Sequence, residues 1–271
     1  MHHFILYLVV AFIYAVVAAD FWRGAKSEPS TLKLHSAMIA LVLLLHGWLL
    51  YQDVFSQGFN FGLLNALSSI FWLTVLIYWL ANLGLSNSNH QLHGLQAFVL
   101  PLAALFALLP AFSAQNHYMP EANAKLFIVH IAIALLAYSL FTFAALHALL
   151  MTIAERSLHN KPSLIKLPSF PPLLVMETLL FRVITTGFVL LTFTIVSGML
   201  FSEEIFGKPL QFSHKIVFSI ASWMIYGWLL FGRHKYGWRG RKAIRWTLAG
   251  FGLLLLAYIG SKFVLEMILH R

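Results

Sequence analysis

The sequence has no cysteine among its 271 residues. Disulfide bridges, thiol catalysis and a haem attached through thiols are therefore excluded. Charged residues are also scarce, at 10% of the chain, whereas hydrophobic residues make up 60% and the mean hydropathy is +0.81. Soluble domains carry about 25% charged residues. The composition therefore predicts an all-α, polytopic membrane protein made of transmembrane helices, with no soluble domain.

Motifs for chemistry at a catalytic centre are missing as well. We find no outward carboxylate pair, nucleophile motif or phosphate-binding loop, and the adjacent Glu203 and Glu204 read as a solvated turn. The net charge of +9 would suggest nucleic acid as the partner of a soluble protein. Here the cations are concentrated in three loops, which is typical of a membrane protein. The sequence predicts no enzyme and no nucleic-acid partner.

Apolar segments separated by short polar links predict eight helices in a single transmembrane domain over residues 1–271. Pro101 lies inside the fourth segment and should kink it. The predicted helices cover about residues 4–19, 35–51, 61–83, 94–111, 125–154, 174–201, 214–231 and 244–269.

The distribution of lysine and arginine predicts the orientation of the helices. The uncharged run Ile216–Phe231 is followed by six cations between Arg233 and Arg245. Twelve cations fall in the loops after helices 1, 3, 5 and 7, and one falls in the loops after helices 2, 4 and 6. Cytoplasmic loops are the cation-rich ones. We therefore predict both termini outside, in a multi-pass protein of the bacterial inner (cytoplasmic) membrane, with membrane lipid as a partner.

Three of the thirteen histidines stand in apolar surroundings near the predicted outer surface. His46, His130 and His214 belong to three different helices, and at 1.5 Å per residue they fall within about 8 Å of that surface. Histidine in lipid needs a partner, so each should face the bundle interior. Two roles are open for this set: axial ligation of a haem iron, or hydrogen bonds between helices. His147 with His35 or His93 would form a weaker second site near the inner surface.

The C-terminal half resembles a known family. The segments VHIAIALLAYSLFTFAALHALL (Val129–Leu150), TTGFVLLTFTIVSGMLF (Thr185–Phe201), SHKIVFSIASWMIYGWLL (Ser213–Leu230) and GWRGRKAIRW (Gly237–Trp246) resemble the cytochrome c assembly family of membrane proteins. That family includes haem-handling proteins of the CcsA, CcmC and HemX types, and the likeness is greatest to its YpjD-type inner-membrane branch. Residues 125–269 form the matching half, whereas residues 1–111 match only in their helix pattern and in the placing of His46.

The resemblance implies haem as a cofactor and other cytochrome assembly or haem-pathway membrane proteins as partners. His130 occupies the position of a haem-binding histidine of the family, and His214 lies near a second such region. The outer loop Phe201–Phe212 lacks the tryptophan-rich segment with which the family presents haem. The expected role is therefore accessory or regulatory within haem-handling and cytochrome c biogenesis.

A different class of function is also open. Pro101 and scattered polar groups within the helices would suit a small-solute transporter, or an accessory membrane subunit without haem. The visible absorption spectrum of the purified protein separates these two classes.

Overall fold

The computed structural model describes residues 3–22, 29–56, 59–84, 93–112, 125–159, 172–206 and 214–260. These ranges contain eight α-helices and no β-strand, which confirms the predicted all-α class. The helices are α1 (Phe4–Trp22), α2 (Pro29–Phe55), α3 (Leu63–Gly84), α4 (His93–Ala107), α5 (Lys125–His159), α6 (Leu173–Phe206), α7 (His214–Tyr236) and α8 (Gly240–Leu255).

Five of these helices are long and apolar enough to cross a membrane, namely α2, α3, α5, α6 and α7. Shorter apolar stretches lie in α1 and in the segment Phe98–Phe112. α8 continues into a wider turn, Leu256–Gly260, and the rest of its predicted span lies outside the described residues. Which termini face outside stays a prediction.

Helix boundaries depart from the sequence prediction at several places, and three of these have a clear local cause. α2 begins at Pro29, whose fixed φ and missing N–H suit the first turn of a helix. α4 ends at Ala107 and a tighter turn follows over Leu109–Phe112, because Pro110 cannot donate to the preceding helical turn. α8 begins at Gly240 rather than near Ile244, since the carboxylate of Glu177 accepts a hydrogen bond from the Gly240 N–H at 3.4 Å.

The described chain forms two compact units. The first comprises Met1–Tyr118 and Leu150–Met176. In it, α1 and α3 each pack against α2 and α4. Gly47 permits a close approach of α2 and α3, because a Cβ there would lie 2.9 Å from the Trp72 ring. The Trp72 Nε1–H donates to Leu43 O at 2.8 Å and thereby ties α3 to α2.

The second unit comprises Met119–Leu149 and Glu177–Arg271. Its core contains the stacked rings of Phe141 and Tyr226, whose centroids are 4.0 Å apart. Glycines lie against both rings: a Cβ at Gly187 would come within 3.1 Å of Phe141, and one at Gly250 within 2.8 Å of Tyr226. α5, α6, α7 and α8 therefore converge on one aromatic pair.

Candidate functional site

His46 lies at the centre of the first unit and is fully buried. Both of its ring nitrogens have partners on neighbouring helices. Nε2 is 3.0 Å from the hydroxyl of Ser68 on α3, and Nδ1 is 3.4 Å from the hydroxyl of Tyr14 on α1. This geometry is that of the interhelical hydrogen-bonding role. A haem iron could reach His46 only by displacing one of the two hydroxyl groups.

Two further polar pairs join α1 to α2, and the sequence analysis missed both. The Tyr7 hydroxyl donates to Asp53 at 2.6 Å, and a nitrogen of His35 lies 2.8 Å from an oxygen of Asp20. Together with the Tyr14–His46 pair they make three polar contacts between α1 and α2, which run antiparallel. A sequence signal existed, because Tyr7 and Tyr14, like His46 and Asp53, are seven residues apart and so share a helix face. These three contacts fix how α1 packs against α2.

His130 is only partly buried and has a different environment on α5 of the second unit. Its Nδ1 lies 2.7 Å from the Ser197 hydroxyl on α6. The same hydroxyl lies 2.6 Å from Phe193 O, which can only accept, so the single hydroxyl proton goes there. His130 Nδ1 must therefore be the donor to Ser197. The neutral ring then carries its proton on Nδ1 and its lone pair on Nε2.

Other polar groups surround His130 at the predicted outer end of the second unit. Lys215, near the start of α7, is close enough to interact with His130 electrostatically. The Lys215 Nζ also lies 5.9 Å from the Tyr258 ring centroid. Tyr258 packs against Tyr138, with ring centroids 5.5 Å apart. His214 is the exposed first residue of α7 and directly precedes Lys215.

One feature of His130 is compatible with a haem ligand. A metal-ligating histidine donates its second ring N–H to a neighbouring acceptor, which fixes the tautomer and orients the ring. His130 has this arrangement at its Nδ1, which lies 2.7 Å from the Ser197 hydroxyl. Among the described residues, no group of three or more histidine, aspartate or glutamate side chains could hold a bare metal ion. Haem needs only one or two protein ligands.

The other histidines of the predicted inner end have different surroundings. His147 is fully buried in the second unit, with its ring parallel to that of Phe143 at 6.0 Å. His35 belongs to the first unit, where it contacts Asp20. The side chain of His93 lies outside the described residues. The weaker second site stays a prediction.

The predicted inner end of the second unit is organised by Glu177, whose side chain is only 9% exposed. Its carboxylate lies 2.5 Å from Arg233 Nη1 and 3.5 Å from Arg239 Nε, in addition to the Gly240 N–H. Arg233 also donates to Trp238 O and lies over the Phe181 ring. Among the described side chains of this unit, Glu177 is the sole carboxylate. It joins the start of α6 to the turn between α7 and α8.

Both the fold and the site define a polytopic helical membrane protein with partnered histidines inside its bundle. The chain belongs to the cytochrome c assembly protein family, whose sequence pattern matches residues 31–269. This confirms the resemblance noted from the sequence.

Curated relatives agree with that assignment. The chain is 32% identical over 240 residues to the inner membrane protein YpjD of Escherichia coli K12, with 86% of each chain covered. It is 24% identical over 269 residues to the cytochrome c biogenesis protein CcsA of Prochlorococcus marinus AS9601, covering 88% of this chain and 84% of that one. No solved structure gives a significant match. The protein is a multi-pass bacterial inner-membrane protein of this family.

Proposed function

We propose that this protein binds haem at the predicted outer end of its second unit, with His130 Nε2 as an axial ligand. It would act as an accessory or regulatory member of the cytochrome c assembly machinery, in contact with other membrane proteins of that pathway. The family supports haem handling as the general activity. The role is one of binding rather than catalysis.

One observation carries the choice of His130. One hydrogen bond joins His130 Nδ1–H to the Ser197 hydroxyl, and a second joins that hydroxyl to Phe193 O. Together they leave the lone pair of the neutral ring on Nε2. Only an unprotonated nitrogen can bind iron. This tautomer supports the choice of Nε2 as the ligand atom. When bound, haem supplies a redox-active iron whose axial ligands the protein provides.

The opposite ligand would come from His214 or His46, as the sequence analysis predicted. The geometry favours His214. It is exposed at the start of α7, next to Lys215, whereas ligation by His46 would cost its bond to Ser68 or to Tyr14.

The test is the absorption spectrum of the purified full-length protein, titrated with haemin if none co-purifies. We expect a Soret band that His130→Ala removes or shifts, and that one of His214→Ala and His46→Ala also changes. His234→Ala is the matched control, because His234 is exposed in the last turn of α7 and should leave the band unchanged.

Two results would contradict the proposal in different ways. A wild-type protein without a Soret band, even with added haemin, refutes haem binding and leaves the haem-free transporter or accessory subunit. An intact band in all of the histidine variants keeps haem but refutes the site.

A further inference from the structure

A second surface with the features of a binding site lies at the other end of the second unit. α7 has 23 residues and ends in the cations Arg233 and Lys235. At 1.5 Å per residue it is about 34 Å long, so its end reaches the lipid headgroups of a bilayer with a hydrocarbon core of about 30 Å. Gly237 then reverses the chain with a φ of +63°, and α8 starts at Gly240. The turn therefore stays at headgroup level.

The charge on this surface exceeds what Glu177 compensates. We call the exposed side chains of Arg239, Lys242 and Arg245 the cationic face. The Glu177 carboxylate forms an ion pair with Arg233 Nη1 at 2.5 Å. Arg239 Nε lies 3.5 Å from the same carboxylate, and the Arg239 side chain is 63% exposed. The carboxylate is itself buried and lies beside the Gly240 N–H at the start of α8. The cationic face thus retains a positive charge that an anion would complement.

Aromatic rings form a platform beneath these cations. Trp238 is seated on Gly232, where a Cβ would lie 2.4 Å from the ring, and it stacks on Trp246 with centroids 6.1 Å apart. The Lys242 Nζ lies 5.2 Å from the Trp238 centroid. Indole rings with a polar edge concentrate where hydrocarbon meets headgroups. The platform holds Lys242 at that depth.

An exposed apolar stripe runs along α7 toward the same platform. Met224, Trp228 and Phe231 are spaced as one helix face and are each about half exposed. Trp228 contacts both Phe231 and Trp238, with centroids 5.7 and 6.0 Å apart. The stripe and the cationic face therefore form one continuous surface, apolar along the helix and positive at its end.

We propose that this surface is a binding site for one anionic phospholipid, independent of haem. Its phosphate would contact Lys242, Arg245 and Arg239, and an acyl chain would lie along the stripe. An acidic segment of a soluble protein would complement the cations but could not reach the apolar stripe, which lies along a membrane-spanning helix. The combined chemistry selects a lipid.

The test compares lipid retention by the full-length protein in detergent, measured by native mass spectrometry with added phosphatidylglycerol or phosphatidylcholine. We expect the wild type to retain phosphatidylglycerol preferentially. Lys242→Gln/Arg245→Gln should lower its retention about tenfold or more, because it removes two direct charge-assisted contacts with the phosphate. We choose these two cations because neither contacts Glu177. The variant therefore keeps the Glu177 contacts that connect α6, α7 and α8.

The matched control is Lys33→Gln/Arg156→Gln, which removes two exposed cations near the predicted inner ends of α2 and α5. It should change retention less than about twofold, because these two cations make no direct contact with the phosphate in the proposed site. Trp228→Ser should weaken retention of both lipids. Equal retention of the two lipids by the wild type, or equal loss in both double variants, overturns the proposal. Binding of a polyglutamate peptide in place of phosphatidylglycerol, lost in Lys242→Gln/Arg245→Gln, would overturn it in favour of a protein partner.

Discussion

The two compact units each contain a predicted ligand histidine, and the two are held differently. His46 of the first unit is fully buried, with one ring nitrogen on Ser68 and the other on Tyr14. His130 of the second unit is partly buried, and Ser197 holds its Nδ1 in the donor state. The first arrangement uses the imidazole as a cross-link between helices. The second places the proton of the neutral ring on Nδ1.

The difference shows that similar depth along a helix does not define a common role. A histidine in lipid must have a partner, but the partner can be a hydroxyl group or a ligand. The contrast between the two units can be tested at four levels, from an all-or-none readout to a difference of a fraction of a kcal/mol.

The largest effect concerns the side of the membrane. Both histidines were assigned to the outer end from the positions of the cations. A reporter that is active only outside the cytoplasm should be active when inserted within residues 112–124 and inactive within residues 237–239. Reporter activity from the second position would reverse the orientation of the helices and remove the basis for an outer haem site.

The next prediction compares the ion pairs of the two units. Glu177 is 9% exposed and contacts two arginines, whereas Asp20 is 44% exposed and contacts His35. Removing one partner of a buried pair costs about 3–5 kcal/mol, and we expect about 2–4 for Glu177→Gln because Arg233 is partly exposed. Asp20→Asn should cost about 0–1 kcal/mol.

Equilibrium unfolding in mixed micelles measures both changes. Adding Arg233→Met to Glu177→Gln should recover part of the loss, since it removes the uncompensated charge. Equal costs for Glu177→Gln and Asp20→Asn would show that the Glu177 cluster is not the joint of the second unit.

The sequence predicted much of the fold and less of the site. Eight helices followed from apolar runs, and the family followed from segments such as Gly237–Trp246. The starts of α2 and α8 were displaced, because Pro29 extends the first and a distant carboxylate caps the second. Glu177 and Gly240 are 63 residues apart, so no local pattern could reveal their contact. For the same reason, the partners of His46 and His130 could not be distinguished from sequence.

The third prediction addresses the tautomer of His130. Ser197→Ala removes the acceptor for Nδ1–H, so the proton can move to Nε2 and the ring can turn. Loss of such a partner lowers metal affinity about 10–100-fold, and we expect haemin affinity to fall by that factor. Thr194→Val is the control, because Thr194 on the same helix donates only to Leu190 O. If Soret titrations of Ser197→Ala and wild type coincide, Ser197 does not prepare His130 for the iron.

The smallest effect should come from Tyr14→Phe, which deletes the 3.4 Å contact with His46 Nδ1 and leaves the ring in place. Hydrogen bonds between membrane helices contribute about 0.6 kcal/mol on average, and this long contact should contribute no more. Unfolding of Tyr14→Phe, His46→Leu and the double variant gives the coupling directly. The Soret band of Tyr14→Phe should match that of wild type if His46 is a cross-link. If His46 instead ligates iron, removing a hydroxyl that competes for Nδ1 would tighten haemin binding, and that result would make the two histidines alike.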